Sequence, residues 1–121
     1  MSLRVLVVDD ALFMRRCITK LLEERGWEVV GEACSGREAI ALYPTLKPDV
    51  VTMDITMPDG DGITAAKAII AEDPSARIVM CSAVGQQDML VAAAKAGAKD
   101  FIVKPFRKER VFAAIEAVLT K

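Results

Sequence analysis

The sequence predicts an α/β fold in which five successive β-α units form a doubly wound, parallel five-stranded sheet. Short apolar runs alternate with amphipathic segments along the chain, and the connections between them are short. The apolar runs are nearly continuous, which is typical of parallel strands that are covered on both faces. Right-handed crossovers between such strands place helices on the two faces of one open sheet. We expect residues 1–121 to form this single domain.

The predicted strands are apolar segments that end at a turn or at a polar residue. They cover residues 4–8, 27–33, 50–53, 78–81 and 100–103. The second strand is the most polar, since it contains Glu28, Gly31 and Glu32, and this composition is typical of an edge strand. An edge position for the second strand predicts the flavodoxin-like strand order 2-1-3-4-5.

The first two predicted helices carry recognisable start or stop signals. Gly26 follows the first helix as a residue suited to the left-handed conformation after a last turn. Ser35 caps the second helix, and Glu38, three residues later, completes a capping box. Helix-spaced apolar residues form the buried face of the first helix (Met14, Cys17, Ile18, Leu21, Leu22) and of the second (Ala39, Ile40, Tyr43, Leu46).

The remaining predicted helices lie after strands three, four and five. The third runs from about residue 61 to 72, and the fourth, which is rich in alanine and has a faint apolar face, runs from 86 to 96 before Gly97. The fifth begins near Lys108. The residues expected to face inward are Ile63, Ala66 and Ile70 in the third helix and Val111, Phe112, Ile115, Val118 and Leu119 in the fifth.

The composition excludes several classes of function. A formal net charge of −1 does not suit a nucleic-acid or anionic-membrane surface, and no apolar stretch is long enough to span a bilayer. The chain has no histidine, which excludes Ser-His-Asp and Cys-His nucleophilic sites within it. Cys17, Cys34 and Cys81 lack metal-ligand spacing and fit a reducing, cytoplasmic location.

Polar side chains follow four of the predicted strands at the points where those strands end. Asp9 and Asp10 follow the first strand, Asp54 the third, Ser82 the fourth and Lys104 the fifth. In the predicted order, strands one and three adjoin at the topological switch point, where ligands bind beyond the carboxyl ends. An ionised Asp at the end of a buried strand needs a compensating charge. We therefore expect these residues to form one site around Asp54.

This set of residue types suits phosphoryl transfer to Asp54. Converging carboxylates require a hard cation, and Mg²⁺, with Mn²⁺ as a substitute, prefers oxygen ligands. Lys104 supplies a point charge and Ser82 a hydroxyl donor for phosphoryl oxygens. A carboxylate held in this way attacks phosphorus as a covalent nucleophile, and the transfer depends on positioning and charge neutralisation.

Each of these residues also has a purely structural explanation. Asp9 or Asp10 alone would be explained as a cap of the first helix, and Asp54 alone as a residue that opens a loop. Ser82 alone fits a turn, and Lys104 with the proline after it fits a surface corner. Their joint placement at the ends of four strands favours the phosphoryl site.

Over its whole length the chain resembles the receiver domains of two-component response regulators. The resemblance is carried by the acidic pair Asp9-Asp10, by residues 53–62, by Ser82-Ala83 and by residues 104–106. Residues 81–87 and 96–106 further resemble the single-domain chemotaxis regulators of Gram-positive and deep-branching bacteria.

The resemblance implies a phosphoryl-acceptor role for Asp54 and an Mg²⁺ site beside it. Asp10 would bind the metal directly and Asp9 through water, with Asp54 and the Thr56 carbonyl as further ligands. Lys104 would contact the phosphoryl group.

The resemblance also implies phosphoryl contacts and a switch. The amides of Ile55 and Ala83 would hold phosphoryl oxygens, and the Lys104–Pro105 peptide bond would be cis. Ser82 and Phe101 would form the switch pair, for which the structural alternative is that Phe101 is a permanent core residue.

The function implied is that of a stand-alone response regulator and not of an enzyme that turns over a substrate. A sensor histidine kinase of the chemotaxis type would donate the phosphoryl group, and the output would be binding to a flagellar switch protein or another output protein. A phosphatase would be a further partner. In this family two positions flank the path of attacking water, and here Thr56 and Val84 carry no amide or carboxylate there.

Two alternatives stay open at this point. The receiver could be a phosphorelay intermediate or the receiver part of a larger DNA-binding regulator. A phosphatase of the haloacid dehalogenase type also uses an aspartyl nucleophile and Mg²⁺, but it needs a second Asp two residues later, where this chain has Thr56.

Overall fold

Five parallel strands and five helices alternate in the computed structural model, which describes residues 3–57, 61–83 and 85–120. The strands are β1 (Arg4–Val8), β2 (Glu28–Ala33), β3 (Val50–Asp54), β4 (Ile78–Ser82) and β5 (Asp100–Val103). The helices are α1 (Leu12–Glu24), α2 (Gly36–Leu46), α3 (Gly62–Glu72), α4 (Gln87–Lys95) and α5 (Lys108–Leu119). The strand order is β2-β1-β3-β4-β5, so the predicted fold and topology are confirmed.

The boundaries differ from the prediction mainly at the strand ends that carry polar residues. β3 extends to Asp54 and β4 to Ser82, each one residue further than predicted. Pairing with the neighbouring strands continues there, because Asp54 is in register with Cys81, and Ser82 with Val103. These polar side chains are therefore positioned by the sheet itself and not by a loop.

The core lies on both faces of the sheet, as a doubly wound fold requires. Alternate residues of β1 belong to different clusters, with Val5 and Val7 on one face and Leu6 and Val8 on the other. The first face is covered by α1 and α5, and the second by α2, α3 and α4. β2 pairs only with β1 in the described sheet and is mostly half-buried, which confirms its edge position.

The helix ends follow the predicted signals closely. Gly26 has a φ of 84° after α1, and Gly97 a φ of 109° after α4. The Ser35 hydroxyl accepts the Glu38 N–H at 3.1 Å, but the Glu38 carboxylate accepts from the Cys34 N–H at 2.8 Å, one residue before the cap. The capping box is thus confirmed on one side and shifted by one residue on the other.

The helix faces also agree with the prediction. Val111, Ile115 and Val118 of α5 are buried, whereas α4 buries Ala93 alone among its described side chains. Within the described ranges, no helix combines the length and apolar character needed to cross a membrane.

Candidate functional site

The carboxyl ends of β1 and β3 bring three carboxylates together. Asp9 and Asp10 follow β1 directly, and Asp54 is the last residue of β3, which lies beside β1. Asp9 and Asp54 are buried, while Asp10 is exposed. One carboxylate oxygen from each residue lies within 4.8 Å of those of the other two. This all-oxygen donor set, open to solvent on the Asp10 side, fits a hard divalent cation.

Lys104 provides the compensating charge predicted for this cluster. Its Nζ lies 2.8 Å from Asp9 Oδ2 and 3.4 Å from Asp54 Oδ1. Its backbone N–H donates to the Ser82 carbonyl at 2.8 Å, which holds the end of β5 against β4. Burial disfavours the ammonium, but Asp9 and Asp54 outweigh it and raise the pKa of Lys104. The lysine therefore stays cationic in contact with the Asp54 carboxylate.

Asp54 has a buried carboxylate with a raised pKa. Burial raises the pKa of Asp54 to about 6, Lys104 opposes that rise, and the charges of Asp9 and Asp10 add to it. A nucleophilic carboxylate must be ionised, and a further positive charge nearby favours the ionised form. Cation binding beside Asp54 would thus favour its ionised, nucleophilic form.

Asp9 belongs to the carboxylate cluster and also forms hydrogen bonds at the start of α1. Its Oδ1 accepts the Ala11 N–H at 2.9 Å, while its Oδ2 pairs with Lys104. Arg15 donates to the Asp9 carbonyl at 2.7 Å. Asp9 therefore stabilises the turn that leads into α1, and the same hydrogen bonds fix the position of its carboxylate at the site.

The two predicted phosphoryl-binding amides both donate hydrogen bonds within the protein, and their phosphoryl contacts stay predictions. The Ile55 N–H donates to the Cys81 carbonyl at 3.0 Å as part of the β3–β4 pairing. The Ala83 N–H lies beyond the end of β4 and donates to Gln86 Oε1 at 2.7 Å. Ser82, immediately before it, is buried at the predicted position.

Gln86 is the site residue that sequence reasoning missed. Besides accepting from Ala83, its side chain donates through Nε2 to Thr56 Oγ1. Thr56 is exposed and follows β3, and the role of its carbonyl as a metal ligand stays a prediction. The sequence signals for Gln86 are its position at the start of the predicted fourth helix and its place in the segment 81–87 that follows the fourth strand.

The switch residue Phe101 lies on the surface. Its side chain is 39% exposed, so the alternative of a permanent core residue is wrong. The Arg110 guanidinium lies 5.7 Å from the centre of the Phe101 ring and donates to the Phe101 carbonyl at 2.7 Å.

The predicted cis bond between Lys104 and Pro105 is confirmed. Val84 and residues 58–60 of the recognised segment lie outside the described residues.

Comparison with known proteins places the chain in a family with this kind of site. Residues 5–116 match the family model described as response regulator receiver domain. The chain therefore belongs to the receiver domains of two-component response regulators. Members of this family bind Mg²⁺ through acidic residues, and Asp9, Asp10 and Asp54 form a cluster that could hold such an ion.

Within this family the chain is similar to chemotaxis regulators. It is 57% identical over 118 residues to the chemotaxis protein CheY of Thermotoga maritima, with 98% of each chain covered. It is 56% identical over 119 residues to CheY of Bacillus subtilis, covering 98% of this chain and 99% of the relative. It also superimposes with a TM-score of 0.93 on a chain of the CheX-CheY-BeF3-Mg complex from Borrelia burgdorferi, at 36% identity over 98% of this chain and 90% of that chain.

Proposed function

We propose that this protein is a cytoplasmic, Mg²⁺-dependent response regulator in which a sensor histidine kinase phosphorylates Asp54 and so controls binding to an output partner. The observation that carries this proposal is the buried Asp54 carboxylate, 3.4 Å from the Lys104 ammonium and clustered with Asp9 and Asp10. The similarity to CheY over almost the whole of each chain supports a chemotaxis kinase as donor and a flagellar switch protein as output partner.

The transfer uses Asp54 as the nucleophile. A carboxylate oxygen of Asp54 forms a bond to phosphorus while the P–N bond to the histidine of the kinase breaks. The electron pair of that bond stays on the imidazole nitrogen, which takes up a proton from water, and Asp54 becomes an acyl phosphate. Lys104, already beside Asp54, stabilises charge on the transferred oxygens, which is the main requirement of such transfers.

The residues that would hold Mg²⁺ are Asp9, Asp10 and Asp54 with the Thr56 carbonyl. When bound, the ion supplies charge neutralisation at the phosphoryl oxygens. Asp10 is the exposed member and leaves the cluster accessible, while the buried Asp9 stays paired with Lys104.

The proposed chemistry is a stoichiometric modification without turnover of a separate substrate. Water attack on the acyl phosphate of Asp54 would release inorganic phosphate and regenerate the carboxylate, with or without a phosphatase partner. An aspartyl phosphatase would need an acid two residues after Asp54, and the side chain there is the Thr56 hydroxyl, which accepts a hydrogen bond from Gln86. This favours the switch over the haloacid dehalogenase alternative.

Phosphorylation by a small donor tests the acceptor. With acetyl phosphate and Mg²⁺, intact-mass measurement should show one phosphoryl adduct, and EDTA should prevent it. The matched variant Asp54→Asn should show none. An adduct that persists in Asp54→Asn would place the acceptor elsewhere and refute the proposal.

Phosphotransfer from purified kinases tests the chemotaxis assignment. A chemotaxis kinase should phosphorylate the chain at least tenfold faster than kinases of other two-component systems. Binding to a flagellar switch protein should then strengthen on phosphorylation. Preference for a kinase of a transcriptional system would favour a relationship to transcriptional regulators, such as the transcriptional regulatory protein PdtaR of Mycobacterium tuberculosis, to which the chain is 42% identical.

A further inference from the structure

The Gln86 side chain joins the two loops that follow β3 and β4. The Ala83 N–H donates to Gln86 Oε1 at 2.7 Å, and Gln86 Nε2 donates to Thr56 Oγ1. A backbone N–H can only donate, so the amide oxygen must face Ala83 and the NH₂ group must face Thr56. The two contacts therefore define one orientation of this side chain.

These two contacts lie directly beyond the acceptor residue. Asp54 is in register with Cys81 across the parallel β3–β4 pair. Thr56 and Ala83 are each two residues past that register pair. Gln86 thus spans the two strand ends at the position where an oxygen attached to Asp54 would emerge, and it occupies the amide that is otherwise available to that oxygen.

Gln86 also lies immediately before the first residue of α4. It is the N-cap of α4, its N–H donates to the Ala83 carbonyl at 3.2 Å, and its carbonyl accepts from Met89 at 3.0 Å. The start of α4 carries no side-chain cap hydrogen bond of its own. Movement of the Gln86 side chain therefore acts directly on the first turn of this helix.

We propose that Gln86 is a latch: its amide oxygen occupies the Ala83 N–H before phosphorylation, and a phosphoryl oxygen on Asp54 displaces it, which frees the start of α4 from Thr56. The proposal rests on the proposed function, since it needs phosphorylation of Asp54. A phosphoryl oxygen is anionic and forms a stronger hydrogen bond with a backbone N–H than the neutral Gln86 oxygen does. Gln86 acts as a positioning residue through Ala83 and takes no part in the transfer itself.

Three variants separate the latch from a general loosening of α4. Gln86→Leu keeps the approximate size of the side chain and removes both hydrogen bonds. Thr56→Val keeps the shape of the side chain and removes only the hydroxyl that accepts the hydrogen bond from Gln86 Nε2. Ala92→Gly is the matched control, because Ala92 is an exposed residue of α4 and glycine weakens a helix without touching the latch.

The first measurement needs no phosphate. In ¹⁵N-labelled protein without a donor, the Ala83 amide should exchange with solvent about fivefold faster in Gln86→Leu than in wild type, the factor expected for one lost hydrogen bond. Thr56→Val should give a smaller increase, and Ala92→Gly should leave Ala83 unchanged. Equal exchange at Ala83 in Gln86→Leu and wild type would refute the latch. This reading is independent of whether Asp54 accepts phosphate.

The second measurement uses acetyl phosphate with Mg²⁺. The rate of adduct formation at Asp54 should rise about two- to fivefold in Gln86→Leu, because no hydrogen bond must first be broken, and should stay at the wild-type value in Ala92→Gly. The amide shifts of Asp88 to Leu90 should respond to phosphorylation less in Gln86→Leu than in wild type. A full wild-type shift response in Gln86→Leu, or equal rates in Gln86→Leu and Ala92→Gly, would overturn the latch. Failure of wild type itself to form an adduct would refute the proposed function instead.

Discussion

α2, α3 and α4 cover the same face of the sheet, but the α2–α3 pair and the region formed by α4 and strand β5 are attached to the rest of the protein in different ways. Ser35 is the N-cap of α2 and Asp61 the N-cap of α3, and each of these side chains accepts a backbone N–H of its own helix. The Tyr43 hydroxyl of α2 donates to Asp73, the residue that caps the end of α3, at 2.7 Å. Hydrogen bonds thus secure the helix starts and tie the two helices together.

The α4–β5 region has fewer attachments of this kind. The side chain of Gln86, at the start of α4, bonds to the neighbouring loops and not to its own helix. Val91 of α4 is 60% exposed, Phe101 of β5 is also exposed, and Ala93 is the buried side chain among those described in α4. Few buried apolar contacts lower the free energy of local opening. We therefore expect the α4–β5 region to open locally at a lower free energy than the α2–α3 pair. Such a region is suited to the proposed response to phosphorylation of Asp54.

The largest expected effect separates the starts of α3 and α4. A methyl group on Gly62, the first residue of α3, would lie 1.9 Å from the backbone oxygen of Asp54. Because that oxygen belongs to the sheet and cannot move aside, Gly62→Ala should reduce the free energy of unfolding by at least about 3 kcal/mol and impair phosphorylation. Denaturant unfolding, followed by the fluorescence of Trp27, measures the loss.

Gly85→Ala, just before α4, is the matched control. Gly85 has a φ of 96°, and a methyl group there would meet no atom within 4 Å. The cost should be only the strain of a left-handed alanine, about 1–2 kcal/mol. Equal losses in Gly62→Ala and Gly85→Ala would remove the contrast between the two helix starts.

The next effect concerns the ionisation of the Asp54 carboxylate. Burial first, with Asp9 and Asp10, raises the pKa of Asp54 from 3.8 to about 6, so the folded state binds more protons than the unfolded state between these values. Wild-type stability should therefore fall as the pH rises through this window. At pH 7 without metal, Asp54→Asn should be about 1–3 kcal/mol more stable, since asparagine does not ionise.

Thermal or urea unfolding in EDTA at pH 7 and pH 3.5 measures this difference. The advantage of Asp54→Asn should largely disappear at the lower pH, where the wild-type carboxyl is mostly protonated in both states. An advantage of the same size at both values would show that ionisation of Asp54 is not its cause.

A smaller effect tests the bond that joins α2 to α3. Tyr43→Phe should cost about 1 kcal/mol at neutral pH, because Asp73 loses one donor. Hydrogen bonds from Ser75, and then from Tyr43, lower the pKa of Asp73. The stabilisation that these hydrogen bonds give is therefore present above the pKa of Asp73 in the unfolded chain. It is lost as the pH falls through the pKa of Asp73 in the folded protein. Urea unfolding should show that the gap between wild type and Tyr43→Phe narrows in acid. A gap that widens in acid would contradict this assignment.

The smallest effect is expected on the surface of α4. Val91→Ala removes an exposed side chain and replaces valine by a better helix former, so the free energy of unfolding should change by no more than about 0.5 kcal/mol, in the stabilising direction. Chemical unfolding beside wild type measures it. A loss above 1 kcal/mol would mean that α4 depends on Val91 for its packing, and the contrast with the α2–α3 pair would fail.

The sequence by itself determined the elements, their order and the acidic site. Apolar runs and helix-spaced residues report burial directly, because each repeats with the period of its own secondary structure. The positions of Asp9, Asp10, Asp54 and Lys104 at strand ends were readable for the same reason, since parallel strands present those ends at one edge of a sheet.

Only the tertiary structure decided how individual polar groups pair. Gln86 and Thr56 are 30 residues apart in the chain, and so are Tyr43 and Asp73. Strand register likewise pairs the Ile55 amide with the Cys81 carbonyl. Such pairs depend on strand register and helix placement to within an ångström or so, because a hydrogen bond holds only over a narrow range of distance and angle. No local sequence pattern specifies such distances and angles between residues far apart in the chain. They are set only when the strands and helices pack together.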